Sequence, residues 1–134
     1  IDSDNVEVNI MWEEFECNAP YGGENITEIN GVPLPQSYID FMRQHNGGEG
    51  DIGGTWLALY PLEELQEIND DYEISEALPG HILIGGNGGE EFYGINADGM
   101  FFNVPSTFDI RDLTILCDDM TEFAEKVNRF WAEL

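Results

Sequence analysis

The chain has 134 residues, the size of one domain, with 42% hydrophobic and 12% aromatic residues, enough to build a core. Four basic residues stand against 28 acidic ones, for a net charge of -24. That balance argues against direct binding to DNA, RNA or an anionic membrane, which takes clustered Lys and Arg, because Arg43, Arg111, Lys126 and Arg129 are scattered.

An acidic disordered tail would lack the three Trp, five Tyr and eight Phe present here, so the chain is expected to fold as a single domain over 1–134. A basic protein partner complements such a charge. General solubility, including adaptation to salt, explains the same number without any partner. Cys17 and Cys117 lie far apart and read as reduced thiols. No apolar run reaches the roughly 18 residues of a membrane span. No basic-then-apolar leader opens the chain. A cytoplasmic location is the expectation, and the start at Ile1 rather than Met leaves open what precedes it.

In chain order, Val8, Met11, Trp12 and Phe15 fit a helical face, while Val6, Val8 and Ile10 alternate like a strand; the helical reading is preferred for Val6 to Cys17. Asn18 to Gly23 is a loop. Pro35 opens an amphipathic helix that carries Tyr38, Ile39, Met42 and His45 on one face, and Asn46-Gly47-Gly48 is expected to end it through a left-handed glycine. Thr55 to Tyr60 has strand character. Pro61 opens a helix with Leu62, Leu65, Ile68 and Tyr72 inward and Glu63, Glu64, Glu67, Asp70 and Asp71 outward.

Ile82-Leu83-Ile84 is a buried-strand run, turned by Gly85 to Gly89. Glu91 to Asn96 and Met100 to Val104 form the next strands across an Asp98-Gly99 type I′ hairpin signal. Leu113 to Leu116 is a further short strand. Asp119 or Thr121 caps a final helix whose apolar stripe runs from Met120 through Phe123, Ala124, Val127, Phe130 and Trp131 to Leu134. Helices around sequential hairpins make an α+β fold: a central antiparallel β-sheet flanked by N- and C-terminal helices.

Each catalytic signature lacks a required part. His45 and His81 have no ligand at metal spacing, and Asn69-Asp70-Asp71 lacks the Gly and Glu of a calcium loop, so neither metal nor cofactor is expected. The loop Gly85 to Gly89 is followed by Glu90 and Glu91 where a phosphate loop needs Lys and Ser or Thr. Ser37, Ser75 and Ser106 sit in no nucleophile-elbow context. Among 28 acids, close carboxylate pairs such as Glu90 and Glu91 arise by chance, which makes a small acid hydrolase the weakest reading.

The order of motifs is more specific. Leu34-Pro35, Tyr38, Phe41-Met42 and Asn46-Gly47-Gly48 are followed by Trp56-Leu57, Leu59, Pro61 to Leu65, Asn69 and Tyr72. Ile82 to Gly85, Asn87 to Glu90, Tyr93-Gly94, Val104-Pro105 and the helix from Met120 complete the series. Over residues 32–131 this order resembles the SUKH superfamily, which includes Smi/Knr-like yeast cell-wall regulators and many bacterial immunity proteins. The resemblance implies an α+β fold and a non-enzymatic role. For bacterial members that role is binding and neutralising a cognate toxin domain, many of which are nucleases. A regulatory or scaffold module of the yeast type is the alternative. The contact residues expected for a basic partner are Glu49, Asp51, Trp56, Glu63, Glu67, Asp70, Asp71, Glu90 and Glu91, taken as exposed acids near aromatics. General burial tendencies favour a core position for Trp56.

Overall fold

A computed structural model describes residues 11–134. Strands β1 (Phe15–Cys17), β2 (Glu28–Ile29) and β3 (Val32–Pro33) precede helix α1 (Gln36–Gln44). Strands β4 (Gly48–Asp51) and β5 (Trp56–Leu59) lead into helices α2 (Leu65–Asp71) and α3 (Ile74–Ala77). Strands β6 (His81–Gly86), β7 (Glu91–Asn96), β8 (Phe101–Pro105) and β9 (Thr114–Cys117) come before helix α4 (Met120–Ala132). Seven strands form one antiparallel sheet in the order β1-β4-β5-β6-β7-β8-β9, and β2 and β3 form a separate ribbon. The fold is α+β, as the sequence pattern indicates.

Alternation sorts the sheet into two faces. Phe15, Leu57, Leu59, Ile82, Ile84, Tyr93, Ile95 and Phe101 meet Tyr38 and Met42 of α1 and Phe123 and Val127 of α4 in the main core. Each of these large apolar side chains contributes roughly 1.5–3 kcal/mol by leaving water. The two helices are tied at one end, where Ser37 Oγ accepts from the Met120 N–H at 3.0 Å and Asp119 caps α4 by accepting from the Thr121 N–H at 2.9 Å. On the opposite face Leu83, Phe92, Phe102 and Val104 pack against Ile74 and Leu78 in a second, smaller core. Among the described residues, that cover extends over β6, β7 and β8 and reaches Tyr60 just past β5.

Helix α2 reaches β6 through one side chain. Asn69 is fully buried; its Oδ1 accepts from the Leu83 N–H at 2.7 Å, and its Nδ2 donates to the carbonyls of Leu83 and Leu65 at 3.0 and 2.8 Å. Strand β5 pairs with β6 at Gly85 and Gly86, and the Tyr60 N–H adds a bond to the Ile84 carbonyl at 2.9 Å, so the pairing stops short of Leu83. Asn69 therefore serves Leu83 where a neighbouring strand is missing.

Several expectations change. Of the helix expected over Val6 to Cys17, Val6 to Ile10 lie outside the described residues, Met11 is helical, residues 12–14 form a turn, and the end, Phe15–Cys17, is strand β1. Phe15 is buried between outward Glu14 and Glu16, a period of two rather than 3.6. The glycines after α1 do not end it, since His45 turns extended at φ -140°. Gly48 and Gly50 instead admit β1: a Cβ at these positions would lie 2.1 Å from the Glu16 carbonyl oxygen and 2.5 Å from that of Glu14.

Asp98-Gly99 is not a type I′ turn, because only Gly99 has positive φ. It belongs to a three-residue loop closed by Asn96, the arrangement that places glycine at the left-handed position. The two-residue hairpin signal is met instead by Asn30-Gly31, both at positive φ, between β2 and β3. Tyr72 is exposed rather than inward, standing edge-on to Phe92 and Phe108, and Leu134 lies 80% exposed beyond the end of α4.

Candidate functional site

Among the described residues, the smaller core leaves the β1-β4-β5 end of the sheet bare on one face. Leu57 and Leu59 point into the main core, so Trp56 and Ala58 face the other way. Register adds the neighbours: Ala58 is opposite Glu49, Asp51 is opposite Trp56, and Glu49 is opposite Glu16. Two adjoining concavities cross this surface. One, of about 430 Å³, is lined by Glu16, Glu49, Ala58, Tyr60 and Pro61 among others. The second, of about 270 Å³, shares Glu16 and Glu49 and adds Glu14, Gly50, Asp51 and Trp56. The result is an acidic trough along three strands, ending at a tryptophan.

Among the described residues, no basic side chain lines this trough. Glu16 and Glu49 occupy directly opposed positions on the same face, where like charges repel and cost stability. The two ion pairs among the described residues, Arg111–Asp109 and Arg129–Glu125, lie elsewhere. Asp51 also shapes the β4–β5 turn, its Oδ1 accepting from the N–H groups of Gly53 and Gly54 at 2.8 and 2.7 Å.

Beyond Trp56 is a cleft of about 300 Å³ between Gly54, Thr55, Trp56, Asn87 and Trp131. Trp131 is fixed there by donating from Nε1 to the Tyr93 hydroxyl at 2.8 Å. Burial pushes that hydroxyl up to about 12, so it stays protonated at neutral pH.

Residues 24–126 match the SMI1/KNR4 family (SUKH-1). The chain belongs to that family. Comparison with curated proteins returns no match. Strand β1 of this SUKH domain lies ahead of the matched residues, so Glu14 and Glu16 stand outside the span in which motifs could point to them.

Of the expected contact residues, the structure brings Glu49, Asp51 and Trp56 together in the trough. Trp56 is 49% exposed, against its usual burial, because its strand turns Leu57 and Leu59 to the core instead. Glu63, Glu67, Asp70 and Asp71 are exposed on the segment around α2 and line neither the trough nor the cleft. Glu63 is partly engaged inside the fold, accepting from Asn46 Nδ2 at 2.7 Å.

Glu90 is exposed, but Glu91, expected as an exposed acid, is buried at 8% exposure. It alternates onto the same sheet face as Tyr93 and accepts from Asn103 Nδ2 at 2.6 Å. Burial raises its carboxyl above the ordinary value, with the Asn103 hydrogen bond opposing the rise. Glu14 and Glu16 were missed by sequence reasoning. Their alternation around Phe15 was the available signal, obscured by the competing helical period of Val8, Met11, Trp12 and Phe15.

Among the described residues, no group of three or more His, Cys, Asp and Glu side chains is placed to hold a metal ion, and no helix is long and apolar enough to cross a membrane.

Proposed function

We propose that this SUKH domain is a cytoplasmic immunity protein that binds and neutralises a basic toxin domain, with the acidic trough as its contact surface. The observation that carries this reading is the Glu16–Glu49 juxtaposition, on a sheet face that no described residue covers, beside an exposed tryptophan. A sheet face left bare, lined by repelling carboxylates and without a cation of its own, gains free energy when a partner supplies positive charge. The net charge of -24 adds long-range attraction to the same partner. A nuclease fits especially well, because its substrate groove is built to receive phosphate charge.

The test is co-expression with toxin domains encoded beside this gene. The wild-type chain should restore growth and co-purify with one of them. Glu16→Lys with Glu49→Lys should abolish both effects, whereas Glu67→Lys with Asp70→Lys, a change of equal charge, should leave rescue intact. Equal loss in the two double variants would show that net charge alone matters and would remove the trough from the interface.

The family match supports a second reading, since the same family contains yeast regulators. A regulatory scaffold would bind several partners and rescue no toxin.

A further inference from the structure

Trp56 lines two depressions at once, the acidic trough on one side and the cleft toward Trp131 on the other. One indole of this pair is anchored, because Trp131 Nε1 is bonded to Tyr93. The other is free: among the described residues Trp56 Nε1 has no hydrogen-bond partner, and nearly half of its surface is exposed. The glycine loop approaches its edge, since a Cβ added at Gly88 would sit 3.9 Å from Trp56 Nε1. Gly88 holds a φ of +95°, so an L side chain there would be strained. The loop thus flanks the indole without covering it.

We infer that the end of the trough at Trp56 is a socket for an arginine side chain of the protein partner, an inference that deepens the proposed binding role of the trough. The charge argument selects a cation. Asp51 lies opposite Trp56 with one carboxylate oxygen occupied by the turn, and Glu14, Glu16 and Glu49 line the same depression as the indole, whereas the cleft toward Trp131 is lined by no charged side chain among the described residues. The shape argument selects arginine over lysine. A guanidinium is planar, is weakly hydrated and stacks on an indole face while its edge donates to carboxylates. An ammonium is a hydrated point charge that the acids alone would hold as well. A purely apolar side chain would cover the indole but leave the acids beside it desolvated and unpaired.

The experiment uses the whole chain and two probes, hexa-arginine and hexa-lysine, titrated at one fixed ionic strength. The indole N–H resonances of Trp12, Trp56 and Trp131 are followed by NMR, and affinities are taken from tryptophan fluorescence. Hexa-arginine should bind about two- to five-fold more tightly than hexa-lysine, the increment of an exposed cation–π contact. It should also shift the Trp56 indole signal and leave that of Trp12 in place. Trp56→Leu should bring the ratio to one while retaining the charge-driven part of binding. Glu16→Gln with Glu49→Gln should weaken both peptides alike.

Equal affinity for the two peptides in the wild-type chain, or a preference that survives Trp56→Leu, would overturn the socket. Neither result depends on toxin rescue. A failed rescue with an intact arginine preference would strike the immunity role and spare the socket.

Discussion

Asn69 offers the sharpest energetic test of the fold. It makes three buried hydrogen bonds at 2.7–3.0 Å, two of them to the backbone of Leu83, a fully buried residue that no strand serves on that edge. Asn69→Leu keeps the side-chain volume but removes every partner. The Leu83 N–H and C=O are then left unsatisfied, at about 1–3 kcal/mol each, so the expected loss is about 3–5 kcal/mol. That is a large part of the roughly 5–15 kcal/mol available to a domain. With a urea slope of about 2 kcal/mol/M the midpoint should fall by roughly 2 M. Asn69→Asp should lose as much or more at pH 7, since a carboxylate would face two carbonyls. It should recover stability as pH falls and the acid becomes a donor, whereas Asn69→Leu should lose a constant amount across pH. Urea unfolding followed by far-UV circular dichroism measures both. A loss below 1 kcal/mol for Asn69→Leu, at unchanged slope, would refute the view that Asn69 stands in for a missing strand.

Further outcomes concern the acids and the edge strand. Burial raises the Glu91 carboxyl above its ordinary 4.5, so its stabilising contribution is complete below that value and is lost as pH rises through the raised one. Glu91→Gln should therefore melt higher than wild type at pH 7, with the gap closing toward pH 4.5 in thermal scans. A gap independent of pH would count against an ionised, desolvated Glu91. Removing the opposed pair with Glu49→Gln should stabilise the free protein by a few tenths to about 1 kcal/mol and weaken the proposed binding to a basic partner, measured by calorimetry on both states. Gly50→Ala, whose Cβ would meet the Glu14 carbonyl oxygen, should release β1. Protection of the Phe15 to Cys17 amides from hydrogen exchange would fall, and with it the trough.

Some elements are legible in the sequence for clear physical reasons. Strands β6 to β8 and helix α4 carry strong local periodicity and defined breakers, and Asp119 does cap α4 as its position suggests. The failures also have causes. At Phe15 two periods fit the same apolar residues, and the choice depends on Gly48 and Gly50, more than thirty positions away. Glu91 and Glu90 look alike in sequence, yet alternation sends one into the sheet and leaves the other in water. Trp56 shows the same effect in reverse. Which carboxylates form a site is decided by strand pairing, and pairing is not a local property. Motif order led to the family while saying nothing of β1, which lies ahead of the matched residues.

Among the described residues, the two outer strands of the sheet are guarded very differently. Strand β1 carries Glu16 and follows Glu14, and such charges keep an unpaired edge from recruiting another chain. Strand β9, Thr114-Ile115-Leu116-Cys117, has no charge at all, and Ile115 and nearby Ile110 are exposed. What keeps two molecules from joining along β9 is then the repulsion between whole chains of charge -24, a protection held by the molecule and not by the strand. It disappears when the acids are protonated or screened. Solubility of this protein is therefore a function of pH and salt, and association along β9 should set in under acid or concentrated salt, with Ile115→Lys delaying it in light-scattering measurements.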